Sequence, residues 1–161
     1  MRFFKWIGIG LLALAALTVT TGQLGLLQGT PPDDLGVRSG RFKPPSATAN
    51  SVSSQAGLWP GHPQREAAHI APLALRGGGP ATIAQLQELL STRPGVRIVH
   101  SRSDYLRVEF RTSLLKFVDD AEFWFDPASQ AIELRSASRV GRQDFGVNRQ
   151  RIEMLRAQLA E

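Results

Sequence analysis

The first 28 residues constrain this chain more than any other segment. Arg2 and Lys5 open it, and residues 6–19 are almost all apolar and carry no charge. A basic start followed by an apolar run of about 7–15 residues is the plan of a secretory signal. Residues 3–27 contain a single charge near their start, and a bilayer-spanning helix needs only about 20 residues. We therefore favour an uncleaved anchor over a cleaved signal peptide.

The two basic residues also predict an orientation. Lys and Arg beside an apolar span stay on the cytoplasmic side of the membrane. The rest of the chain is therefore expected in the cell envelope. An uncleaved leader would anchor it in the inner membrane facing the periplasm, and a cleaved leader would leave it exported.

Charge and composition exclude several classes of function. The net charge is +5, and the leader supplies two of these charges. The remaining excess is too weak to indicate nucleic-acid binding. The chain has no cysteine, which excludes a disulfide framework, a thiolate nucleophile and a cysteine-based zinc site. Its histidines, His62, His69 and His100, match no metal-ligand spacing, so we expect no metal and no cofactor.

Residues 29–79 differ in character from the rest of the chain. Residues 30–80 hold eight of the ten prolines and show little helical or alternating period, so they cannot build a core alone. A free linker seldom carries many apolar side chains, yet this segment has Leu35, Val37, Phe42, Val52, Leu58, Trp59, Ile70, Leu73 and Leu75. We predict an arm over residues 29–79 that packs partly on the domain.

Residues 80–161 carry the periodic patterns of a folded core. Pro80 suits the first turn of a helix, and alternation predicts four strands near residues 96–101, 105–111, 117–125 and 132–135. A last helix is predicted over residues 147–159. The order α-β-β-β-β-α indicates an α+β fold, a four-stranded antiparallel meander with two helices on its apolar face. Alternation within the first strand places His100 on that apolar face.

The polar face of this sheet carries a predicted row of charges. A one-residue shift in the strand pairing would turn the apolar side chains outward. The pairing that keeps them inward places Arg107 and Arg135 on either side of Glu122. One interpretation is a solvated face whose charge pairs contribute roughly 0.2–1 kcal/mol each. The other is that this face receives an anion or is roofed by the arm.

The same register places Asp119 and Ser138 opposite one another on the helix side. A carboxylate there needs a partner, because an unpaired buried charge is costly, and the candidates are Arg139, Asn148, Arg149 and Arg151. Asp144 is expected to cap this region from the loop before the last helix. One interpretation is a structural clamp between the last helix and the sheet. The alternative is a binding or catalytic pocket built from Asp119, Asp120, Ser138, Arg139, Asn148 and Arg149.

Several segments resemble the domain of unknown function 1499 family. The resemblance rests on residues 117–123, 135–141 and 144–153, with shorter matches upstream from residue 34. It implies a bacterial exported or membrane-attached protein with plastid relatives, and it supplies no activity and no catalytic residues. The family usually has cysteines where this chain has Pro45 and Ser51, which implies that a disulfide pair is missing here.

Three classes of function remain open. The favoured class is a non-enzymatic envelope module that binds a protein partner or an apolar ligand, because no catalytic set is assembled. The second is an enzyme with Asp119 or Asp120 as base and with Arg139 and Arg149 binding an anionic substrate. The third is a structural or assembly factor at the membrane.

Overall fold

A five-stranded antiparallel sheet organises the chain in a computed structural model that describes residues 2–160. The strands lie in the spatial order β1-β5-β4-β3-β2. The four longer strands follow one another along the chain and form the predicted meander. The fifth, β1, was not predicted, because three residues are too few to show an alternating pattern. The strands are β1 Ser51–Ser53, β2 Val96–Ser101, β3 Tyr105–Arg111, β4 Val118–Asp126 and β5 Ala131–Ser138.

Four α-helices complete the fold over the residues that the structure describes. The apolar leader forms α1, and α2 is a single turn within the arm. Helices α3 and α4 flank the meander in sequence, as predicted, and α3 begins one residue before Pro80. A 3₁₀ turn covers Ala56–Leu58. The helices are α1 Arg2–Gln23, α2 Arg65–Ala68, α3 Gly79–Ser91 and α4 Val147–Ala160.

The core lies between the apolar face of the sheet and the helices α3 and α4. Leu106 and Leu134 pair with Phe123 across the three central strands, and all three side chains are fully buried. Each such side chain stabilises the fold by roughly 1.5–3 kcal/mol when it leaves water. Ile83 of α3 and Ile152 of α4 close the same cluster from above. The predicted α+β class and the placement of both core helices are confirmed.

The predicted position of His100 is wrong. The strand β2 has a register shift between Ile98 and His100, and His100 pairs with Arg107 rather than with an apolar residue. A bulge of this kind inserts one unpaired residue and reverses the alternation beyond it. His100 is therefore exposed on the polar side, where its ring packs edge-on against Tyr105.

The arm contacts the sheet at several points. Its strand β1 pairs with β5, and Leu73 exchanges two backbone hydrogen bonds with Ile132, of 2.9 and 3.0 Å. Where the family resemblance places a cysteine pair, the backbone N–H of Ser46 donates to the Ser51 hydroxyl over 2.9 Å. This bond ties the same stretch of arm without a disulfide. The division into residues 1–28, 29–79 and 80–161 stays a prediction.

The leader helix ends against the β3–β4 loop. The Gln23 side chain donates to the carbonyl oxygen of Leu114 over 2.8 Å. Gly22 lies so close to this loop that an added Cβ would be 2.7 Å from the carbonyl oxygen of Leu115. Within residues 2–160, one helix is long and apolar enough to cross a bilayer, over Phe3–Gln23 with a mean hydropathy of 1.8. Such a helix fits either a membrane anchor or a signal sequence.

Candidate functional site

Apart from Arg149, the predicted site residues fall into two clusters on opposite faces of the sheet. Successive strand residues point to opposite faces, so Asp119 and Asp120 lie back to back. We call the set under α4 the clamp; it comprises Asp119, Ser136, Ser138, Asp144, Asn148 and Arg151. We call the set on the other side the open-face network; it comprises Arg97, Arg107, Glu109, Asp120, Glu122, Arg135 and Arg139. The structure therefore does not bring Asp119, Asp120 and Arg139 into one pocket.

An ion pair forms the centre of the clamp. The Arg151 guanidinium donates to the Asp119 carboxylate over 2.6 Å, and the two side chains are only 11% and 10% exposed. Arg151 also donates to Asn148 Oδ1 over 2.7 Å and lies 4.2 Å above the Phe110 ring. A cation over an aromatic ring adds stability of about 0.5–2 kcal/mol. Of the four partners predicted for Asp119, Arg151 neutralises it.

Asn148 connects the clamp to the arm. This side chain is fully buried, and its amide group donates to the Ser138 hydroxyl over 3.1 Å and to the Asn50 carbonyl oxygen over 3.3 Å. Its Oδ1 accepts from the Ser136 hydroxyl over 2.5 Å. Asn50 and Ser136 were not predicted as members of this site. Ser136 follows from the register that places Ser138, since both lie on one face of β5, but no local pattern marks Asn50.

Asp144 caps α4, as predicted. Its two carboxylate oxygens accept hydrogen bonds of 3.0 Å from the backbone N–H groups of Gly146 and Asn148. Burial alone would raise the pKa of Asp144, but these bonds and the Asn148 side chain hold that pKa below its usual value. A capping carboxylate at a helix start is also favoured by the helix dipole.

Arg139 is the centre of the open-face network. Its guanidinium makes two hydrogen bonds to the Asp120 carboxylate, of 2.7 and 2.9 Å, and a third to Glu109 over 2.5 Å. The hydrogen bonds to Asp120 raise the pKa of Arg139 above its usual range. Arg97 and Arg107 complete the network through Glu109 and Asp120, at 2.8 and 3.2 Å. Asp120 and Glu109 are thus each paired with two arginines, and the Arg139 side chain is only 3% exposed, which leaves little room for a substrate anion to reach it.

The arm roofs the predicted row on the polar face. The register places Arg107 and Arg135 beside Glu122, as predicted, but Glu122 is 1% exposed and Arg135 is 4% exposed. The Glu122 carboxylate accepts from the backbone N–H of Gly36 over 2.6 Å and from the Tyr105 hydroxyl over 2.7 Å. Burial also lowers the pKa of Arg135. The row is therefore covered by chain and is not a solvated surface.

Arg149 belongs to neither cluster. Its guanidinium donates to the carbonyl oxygens of Ala67 and His69, over 2.9 and 2.8 Å. Arg149 thus fastens the first turn of α4 to the arm beside α2. Within residues 2–160, no group of three His, Asp or Glu side chains is placed to hold a metal ion.

A cavity of about 410 Å³ adjoins the clamp at the end of the sheet where α1 attaches. The loop between β3 and β4 forms one wall, and the loop before α4 forms the other. Most of its lining is apolar. The lining includes Phe117, Asp119, Ser138, Val140, Phe145 and Val147. Phe145 stands at the rim with 85% of its surface exposed. Sequence patterns did not predict this cavity, because it lies between two irregular loops.

Comparison with known proteins identifies a family. The sequence model described as "Protein of unknown function (DUF1499)" matches residues 41–159. No solved structure matches this chain. The match covers the arm from just before Phe42, the whole sheet and α4, and it includes every residue of the clamp. The chain therefore belongs to the DUF1499 family of proteins of unknown function.

Proposed function

We propose that this protein is a non-enzymatic envelope module that binds an apolar ligand, such as a lipid acyl chain, in the cavity beside the clamp. In this proposal α1 is an uncleaved signal anchor in the inner membrane, and the domain faces the periplasm. The single observation that carries the proposal is the apolar cavity of about 410 Å³ at the attachment point of α1. A protein partner bound elsewhere on the domain is the second form of the same class.

The dimensions and lining of the cavity support an apolar ligand. Ligand sites in proteins are commonly clefts of about 300–1,000 Å³ with mostly apolar walls and a few polar groups that orient the ligand. Here Phe117, Val140 and Val147 supply apolar wall, and Asp119 and Ser138 supply the polar part. These polar groups already have protein partners. The Ser138 hydroxyl, which accepts from Asn148, keeps its own proton to donate to a headgroup oxygen, while the apolar wall takes the chain.

The position of α1 supports access from a bilayer. Its apolar span of 21 residues is about 31 Å long at a rise of roughly 1.5 Å per residue, which matches the hydrocarbon thickness of a membrane. The span ends at Gln23, which contacts Leu114, and Thr112 and Phe117, on either side of Leu114 in the chain, line the cavity. An acyl chain leaving the outer surface of the membrane would therefore have a short path into the site.

The enzyme alternative receives less support from the same geometry. A general base needs a carboxylate within reach of a substrate proton, but Asp119 is paired with Arg151 and Asp120 with Arg139. The two carboxylates also point away from each other across the sheet. Arg149, the other predicted anion-binding group, is engaged by backbone carbonyls of the arm.

Photo-crosslinking tests the proposal. The full chain is reconstituted in vesicles that contain a fatty acid with a diazirine at the end of its chain, and mass spectrometry locates the adducts after irradiation. We expect adducts on Phe117, which lines the cavity. Val140→Trp fills the cavity and should abolish these adducts.

A matched variant separates the cavity from general effects of a bulky residue. Leu89→Trp places the same side chain in the groove between α3 and α4, which Leu89 lines, and should leave the adducts at Phe117 unchanged. Adducts confined to the leader, or adducts at Phe117 that survive Val140→Trp, would overturn apolar-ligand binding at this site.

A further inference from the structure

Large apolar side chains are exposed at one end of the domain. Leu24 and Leu26, just after α1, are 71% and 72% exposed, and Leu114 and Phe145 are 58% and 85% exposed. Burial of such side chains is favourable, so exposed groups of them mark contact surfaces. These four residues come from three separate segments, and their convergence on one end is a tertiary feature.

Contacts with α1 define where this end lies. Gln23 donates to the carbonyl oxygen of Leu114, so Leu114 is level with the end of the apolar span. Farther along, Gly29 packs against the side chain of Val140, which lines the same cavity as Phe145. The loops that carry Leu114 and Phe145 are thus the part of the domain beside the end of the membrane helix.

The charge of this end is complementary to anionic lipid. Its two loops, residues 111–117 and 139–147, contain Arg111, Lys116 and Arg142 with exposed or half-exposed side chains. The acidic residue in these loops is Asp144, whose carboxylate is occupied by the hydrogen bonds that cap α4. Basic residues beside a membrane contribute about 1 kcal/mol each with anionic lipids.

Phe145 has no role in the core that would explain its side chain. It is almost fully exposed, and its backbone has φ of 53°, a left-handed conformation in which glycine has a lower cost than a bulky residue. The fold would therefore tolerate a smaller residue here. An apolar ring at this position suits the boundary between headgroups and acyl chains, where Trp, Phe and Leu side chains of membrane-surface segments insert.

We propose that this end of the domain docks on the bilayer surface, with the side chains of Leu114 and Phe145 in the boundary between headgroups and acyl chains. The docking holds the mouth of the cavity against the membrane. This inference rests on the anchoring of α1 stated under the proposed function, and it does not require that the cavity binds a ligand.

Spin labelling tests the docking on the full chain. The chain has no cysteine, so Leu114→Cys and Phe145→Cys each introduce one unique labelling site. Ala128→Cys is the control, because it is exposed in the β4–β5 turn, about 30 Å away at a rise of roughly 3.3 Å per strand residue. Leu12→Cys, in the middle of α1, reports anchoring. Each variant is reconstituted in phosphatidylcholine vesicles that contain phosphatidylglycerol.

The readout is the ratio of collisions with oxygen, which concentrates in the bilayer, to collisions with a water-soluble nickel chelate. We expect this ratio to be severalfold higher at positions 114 and 145 than at 128. A ratio at 145 equal to that at 128 would overturn the docking. A label at 145 that is shielded from both reagents would also overturn it, since a second copy or a protein partner would then cover this surface.

The label at position 12 separates this failure from failure of the proposed function. Bilayer-level oxygen exposure at 12 together with water exposure at 145 contradicts only the docking. Nickel access at 12 contradicts the anchoring itself, and the docking with it.

Discussion

The Asp119 carboxylate and the Arg151 guanidinium, 2.6 Å apart, join β4 to α4. Both side chains are nearly buried, and Phe110 covers the arginine from the sheet. The pair therefore connects the last helix to the strand that forms the centre of the sheet. Asp119 also lines the cavity, so the pair bears on both the stability and the proposed function.

Loss of this pair is expected to destabilise the fold. Asp119→Asn leaves a nearly buried arginine without its counter-charge, which should lower the free energy of unfolding by roughly 3 kcal/mol. Urea unfolding of the full chain in detergent measures this. The control is Glu153→Gln, which removes an exposed pair with Arg156 and should cost less than about 0.5 kcal/mol. Equal effects of the two substitutions would show that Asp119 is not a clamp.

Phe42 is expected to hold the arm on the sheet. Its ring is 1% exposed and packs edge-on against Trp124, with centroids 6.5 Å apart. Phe42→Ala should destabilise the protein by about 3–5 kcal/mol and accelerate amide exchange over residues 34–44. Phe145→Ala, at an exposed phenylalanine, should change stability by no more than about 0.5 kcal/mol. If residues 34–44 of the wild-type protein exchange their amide hydrogens as fast as a free chain does, the arm does not cover the sheet.

The α4 cap predicts a pH dependence. The pKa of Asp144 is lowered in the folded state, so its stabilisation is complete above the unfolded pKa and is lost as the pH falls through the folded pKa. The destabilisation by Asp144→Asn should therefore be large at neutral pH and shrink below about pH 4. Ser138→Ala removes an uncharged partner of Asn148 and should cost the same at both pH values. An Asp144→Asn effect independent of pH would contradict this role.

Gly79 is expected to tolerate no side chain. A Cβ at this first residue of α3 would overlap the ring of Phe125. Gly79→Ala should therefore lower the free energy of unfolding by roughly 1–3 kcal/mol, as overpacking does. Gly57→Ala is the matched control, because an added Cβ there meets nothing within 4 Å and should change stability by less than about 0.5 kcal/mol. Equal urea-unfolding midpoints for the two variants would contradict the close approach of Gly79 to Phe125.

Much of the fold follows from local patterns. Alternation predicted the four longer strands and their register, so the placement of Asp119 opposite Ser138 and of Arg107 and Arg135 beside Glu122 needed no structure. The bulge before His100 and the three-residue strand β1 were missed, because one inserted residue or one short pairing leaves no periodic signal.

The assignment of polar partners was harder to predict. Because neighbouring strand residues point to opposite faces, Asp119 and Asp120 lie on different sides of the sheet. The same alternation places Arg139 on the side of Asp120. The choice of Arg151 for Asp119 depends on how α4 is rotated on the sheet, which a helical period does not specify.

The sequence by itself determined the apolar leader helix, the strand register and the two core helices, because each depends on a period within one segment. Only the tertiary structure decided that the arm roofs the charged row, that Asn50 joins Asn148 across 98 residues, and that two loops enclose a cavity at the end of α1. These features depend on packing between segments distant in the chain. No repeating pattern within one segment specifies how the irregular segments pack on the sheet and the helices.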